Sequence, residues 1–227
     1  MALTVPLTLL QHDAAGTPLL ARCAADARAA VAVARMVVPG GPLRDMPFGV
    51  VSAPLLYLDA IRRERGGAFA AAARVPGLAL GLANGLAAAR ARSSPGSDDV
   101  FLCLLESVVA VHPDAMAEMP AAPGALTALV GQLNSERPAP RLQAAVVLAA
   151  VTVAAPEACG ALLRLPTLAA IVALLRRAAA GAECADSIIA CGCAIVVAGQ
   201  LVEHSKAEGG AARAAAALLA AAPGALR

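Results

Sequence analysis

Apolar residues recur at helical spacing along most of this chain. Leu126, Leu129, Val130 and Leu133 fall on one helical face, as do Leu168, Ile171, Val172 and Leu175. Longer apolar runs fill residues 100–111, 143–154 and 186–202, and further helices are expected over 18–38, 54–63 and 211–222. No segment alternates apolar and polar residues over strand length, so the pattern predicts an all-α fold. Proline in a first turn loses no helical hydrogen bond and presets φ. Pro76, Pro123 and Pro166 therefore read as helix starts, and Ser97-Asp98 as caps for a helix through Val111. Pro39-Gly-Gly-Pro42 and Pro47 break any regular spacing upstream.

The helices repeat. Pro113 and Pro156, Pro123 and Pro166, and Leu105 and Leu148 each stand 43 residues apart, with matching apolar runs between them. The same step carries Leu148 and Ala150 to Cys191 and Cys193. Pro76 precedes Pro123 by 47, with the loop Ser93-Ser-Pro-Gly-Ser-Asp98 absorbing the difference. A helical unit of roughly 40–47 residues belongs to the HEAT and armadillo class.

Within that class the chain resembles armadillo repeats. Pro123-Gly-Ala-Leu-Thr-Ala-Leu-Val-Gly-Gln-Leu133 is similar to that family's second helix. Leu142-Gln-Ala-Ala-Val-Val-Leu-Ala-Ala-Val151 is similar to its third, and Ala155-Pro-Glu-Ala158 to the loop entering the next repeat. The resemblance covers residues 75–222. It implies an armadillo-like right-handed α-solenoid of about five helical units. Residues 1–74 would form irregular N-terminal helical repeats, and 75–227 one continuous solenoid. It further implies a non-enzymatic protein-binding scaffold or a subunit of a larger complex.

Peptide-binding members of the family carry an asparagine on the third helix, with a tryptophan nearby. Ser107, Ala150 and Cys193 stand at the asparagine position here, and Val146 near that of the tryptophan. The asparagine ladder is therefore missing. Helical spacing adds Gln143, Val147 and Asp186 to the same face, which makes Ser107, Gln143, Val147, Ala150, Asp186 and Cys193 the candidate partner-binding groove. Its small apolar side chains suit a partner helix or apolar segment better than a charged peptide. The alternative is that neighbouring helices of the same chain close this face.

Composition narrows the function classes. Eighteen basic against sixteen acidic residues give a net charge of +2, which is no footprint for a phosphate backbone. Only 2% of residues are aromatic, so stacking platforms for bases are scarce. An RNA-binding helical-repeat protein is one alternative, but Arg62-Arg-Glu-Arg65 and Arg176-Arg177 sit at helix ends, where cations complement the carbonyl dipole. Alanine supplies about a quarter of the residues and raises the mean hydropathy to +0.73.

That hydropathy makes a membrane-associated helical protein the second alternative. The uncharged run 187–202 is shorter than the roughly 20 residues of a spanning helix, and Gly77, Gly81 and Gly85 form a Gly-xxx-Gly ridge better suited to close packing within a helical stack. Six cysteines without a Cys-x-x-Cys pair read as small apolar residues, which points to a reducing, cytoplasmic setting. Organelle import stays open: Arg22, Arg28, Arg35 and Arg44 lie in an alanine-rich stretch that Asp13, Asp26 and Asp45 interrupt. His12, His112 and His204 are isolated, and no catalytic, metal or cofactor motif is present, so no cofactor is expected. A solenoid whose ends lack polar capping repeats predicts a protein partner, or self-association, covering an exposed end.

Overall fold

A computed structural model describes residues 26–41, 48–64, 67–91, 97–180 and 185–207. Among them the secondary structure is entirely helical, with ten α-helices and one 3-10 helix. The chain divides into two compact units, Met1–Ala115 and Met116–Arg227.

The first unit contains α1 (Ala27–Val37), α2 (Phe48–Arg63), α3 (Gly67–Ala73), α4 (Leu78–Ala91) and α5 (Ser97–Val111). Asp26 caps α1, its carboxylate accepting from the Arg28 and Ala29 amides. Helix α1 packs on α2, α3 and α4, while α5 packs on α2, α3 and α4. The core is built from Leu58, Ile61, Leu82, Leu86, Phe101 and Leu105, all but closed to solvent. On α2, Asp59 grips two arginines, Arg62 through Oδ1 at 2.7 Å and Arg63 through Oδ2 at 2.6 Å. Those two basic residues of the run at 62–65 are therefore engaged by their own helix.

The glycines of the expected ridge are consumed inside this unit. Gly77 precedes α4 and takes a φ of +82°, so it lies outside the helix and cannot belong to a helical ridge. A Cβ on Gly81 would overlap the Val37 carbonyl, and one on Gly85 would overlap the Phe101 ring. Close approach of α1 and α5 to α4 thus requires glycine at both positions.

A 3-10 helix, Pro113–Ala121, follows α5 and buries Met116 and Met119. The second unit continues with α6 (Ala125–Leu133), α7 (Pro138–Ala154), α8 (Ala158–Arg164), α9 (Thr167–Ala179) and α10 (Ala185–Ala207). Helix α6 packs on α7 and α9; α10 packs on α7, α8 and α9. Helices of similar place in the order therefore lie on one another within each unit: α1 on α4 and α2 on α5 in the first, α6 on α9 and α7 on α10 in the second. Helices α3–α5 have lengths of 7, 14 and 15 residues and α8–α10 of 7, 13 and 23, while the 3-10 helix, α6 and α7 between them have 9, 9 and 17.

Several helix starts shift from their expected positions. Pro76 and Pro123 lie in Pro-Gly turns, with Gly77 and Gly124 in the left-handed region, and the helices begin one residue after the glycine. Proline fixes the first corner of such a turn and glycine accepts the positive φ of the second. Pro54 does not open α2; the helix starts six residues earlier, at Phe48. The expected helix over 211–222, and residues 18–25 of another, lie outside the described residues.

Candidate interaction surface

Helix α10 has two apolar faces, and the described residues cover only one. Its buried strip is Ser187, Ala190, Ala194, Val197, Leu201 and Ser205, a three- and four-residue spacing that follows one side of the helix. At 100° per residue, Ile188, Gly192, Ile195 and Gly199 run along the opposite side, flanked by Ile189 and Val196. These are the exposed large side chains of the second unit's long helix: Ile188 is 67% exposed, Ile195 60%, Ile189 53% and Val196 45%. Cβ atoms added at Gly192 or Gly199 would meet nothing within 4 Å. The strip is thus a row of β-branched side chains separated by gaps.

Charge is confined to the ends of α10. Asp186 stands exposed in the first turn, and in the last turn Lys206 pairs with Glu203 at 2.7 Å. Over its most apolar 18 residues the mean hydropathy is 1.9, and 28% of that stretch is buried. By length and composition α10 could cross a membrane. The expected run of 187–202 is therefore shorter than the helix that contains it.

Helix α10 packs mainly along α7, and a hydrogen bond ties its first turn to the α6–α7 corner. Arg141 of α7 donates through Nη1 to the Ser135 and Glu136 carbonyls at 3.2 and 3.3 Å, and through Nη2 to the Ser187 hydroxyl at 3.4 Å. Arg177 of α9 donates to the Asn134 and Ser135 carbonyls at 3.4 and 3.1 Å. Both cations so serve carbonyls of the connection that joins α6 to α7. Thr167, fully buried, donates to the Leu162 carbonyl at 2.7 Å and ties the start of α9 to α8.

The six groove residues inferred from sequence are divided between the two units, and the five in the second do not form one surface. Ser107 belongs to the first unit, where its hydroxyl donates to the Cys103 carbonyl one turn back at 2.8 Å. The other five belong to the second. Gln143 and Val147 are core residues, Val147 with no exposed area, because the face of α7 that carries them is packed within the unit. Ala150 and Cys193 are half-buried and Asp186 is exposed. None of the six lies on the uncovered strip of α10. The apolar character of 186–202 was legible, but spacing alone does not say which side a neighbouring helix takes.

Other chemistry is sparse. Among the described residues no three of His, Cys, Asp and Glu gather as metal ligands. Cys103, Cys159, Cys191 and Cys193 are reduced, and burial, aided by the Glu157 charge, pushes the Cys159 thiol above its ordinary value. In the first unit a shallow notch of about 360 Å³ lies between α1 and α3, lined by Val31, Ala32 and Ala71 with Arg28 and Arg35 at its edge. No family model, no curated protein and no solved structure matches this chain.

Proposed function

We propose that this protein is a non-enzymatic helical-repeat scaffold that binds a partner helix or apolar segment. The observation that carries the reading is the uncovered strip Ile188, Ile189, Ile195 and Val196, set directly opposite the strip by which α10 packs on its own unit. Contiguous exposed apolar surface of this kind marks interaction sites. The short first helices α3 and α8, and the stacking of like helices within each unit, support an armadillo-like right-handed solenoid of about five helical units. In such an array every layer buries its face only against its neighbours, and an uncovered face is where the next layer or a partner docks.

The test is affinity capture from the native source with the wild-type chain and an Ile188→Asp/Ile195→Asp variant. Both substitutions are on exposed side chains, so thermal unfolding of the purified variant should match wild type within a few degrees. A partner set captured by wild type and lost in the variant is expected. Identical capture by both chains sinks the reading.

A membrane-associated helical protein is the second reading, favoured by the length and hydropathy of α10. Against it, the buried side of α10 packs on α7 and α9, which carry Arg141, Arg176 and Arg177. A span through α10 would bring those cations toward hydrocarbon, at a cost of about 2.5–3.5 kcal/mol each at the bilayer centre. Carbonate extraction separates the two: release supports the scaffold, retention the span.

A further inference from the structure

The exposed strip of α10 follows a seven-residue step. Ala185, Gly192 and Gly199 take one seam position, and Ile188, Ile195 and Val202 the other. Small residues fill the first position and β-branched residues the second throughout. We infer that α10 pairs antiparallel with α10 of a second copy of this chain. This deepens the binding reading above and rests on it.

The argument is self-complementarity. A two-fold axis passing between residues 193 and 194 sets Gly192 opposite Ile195 of the second copy, Ile188 opposite Gly199, and Ala185 opposite Val202. One axis therefore places a large side chain against a small one in every layer. Such a match is what an isologous contact requires, since each surface must complement itself. Ile189 and Val196 flank the seam and meet across it. Because nothing in the unit lies within 4 Å of a Cβ at Gly192 or Gly199, both gaps are open to receive the isoleucines.

Charge agrees with the same arrangement. Antiparallel pairing opposes the two helix dipoles. No charged residue lies between 187 and 202 to be desolvated. A seam of 18 residues is about 27 Å long, which places the contact at the small end of specific interfaces. The dimer is thus reversible and concentration-dependent.

The test is sedimentation velocity of the purified full chain from about 1 to 100 μM. A monomer–dimer equilibrium is expected for wild type. Gly192→Leu should weaken it at least tenfold, because the added side chain would meet Ile195 of the second copy in both symmetric layers. The thermal midpoint should not fall, because residue 192 faces open space. Combining Gly192→Leu with Ile195→Ala exchanges large for small and should restore association to within about threefold of wild type. A chain monomeric at every concentration overturns the inference, as does an association that Gly192→Leu leaves unchanged or that the exchange does not restore. These outcomes are read on purified protein and are distinct from the capture experiment, which can succeed with a foreign partner while this one fails.

Discussion

The ring of Phe101 on α5 occupies the space that a side chain at Gly85 on α4 would need. Phe101 is 1% exposed, so this contact lies in the core of the first unit. Gly85→Ala should destabilise by about 1–2 kcal/mol: overpacking costs roughly 1–3, and the helical preference for alanine returns up to about 1. Phe101→Ala alone should cost about 3–5 kcal/mol. In the double variant the new methyl enters the cavity, so urea unfolding should show it more stable than the sum of the single effects.

Gly192 provides the opposite case. It is helical, its φ is not positive and its surroundings are open. Gly192→Ala should therefore raise stability by about 0.5–1 kcal/mol, chiefly by restricting the unfolded chain. Gly81→Ala, against the Val37 carbonyl, should lower it. Thermal unfolding of both variants checks the contrast.

Two arginines serve the connection that joins α6 to α7, and they should not be equivalent. Arg141 is half-buried and reaches three acceptors, including the Ser187 hydroxyl on α10. Arg177 is exposed and reaches two carbonyls of the turn. Arg141→Ala should cost about 2 kcal/mol, from lost charge-assisted hydrogen bonds and lost packing of the stem. Arg177→Ala should cost about 0.5 kcal/mol or less, since its contacts are screened by solvent. Chemical denaturation resolves a difference of that size.

Burial raises the Cys159 thiol above its ordinary value, with the Glu157 carboxylate adding to the shift. The folded state then holds this proton to higher pH than the unfolded chain does. Its contribution is fully present below the unfolded thiol's pKa of about 8.5 and is lost as pH rises toward the folded value. Stability should fall above about pH 8.5, by up to about 1.4 kcal/mol per pH unit for this proton, and less steeply in Cys159→Ala. Native Cys159 should also react with thiol reagents far more slowly than half-buried Cys191, measured by peptide-resolved alkylation.

The sequence by itself determined the helical class and much of the helix order. The spacing of Leu126, Leu129 and Leu133, or of Leu168 and Ile171, is a local property that 3.6-residue periodicity forces onto one side of a helix, and all five are buried. It also placed helix starts at Pro76 and Pro123; the helices begin two residues later, at Leu78 and Ala125, because the following glycine completes a turn. Tertiary structure alone decided what each side of a helix meets. Gly81 and Gly85 read as a ridge for close packing within a helical stack, but only the packed chain shows that Val37 and Phe101 are what fills it. Gln143 and Val147 share a spacing with Ala150, yet packing within the unit takes them into the core. On α10 both faces are apolar, so periodicity could not choose between them. Burying Ala190, Ala194 and Val197 left Ile188, Ile195 and Val196 exposed, because α7, α8 and α9 all pack on the side of α10 that carries the first three.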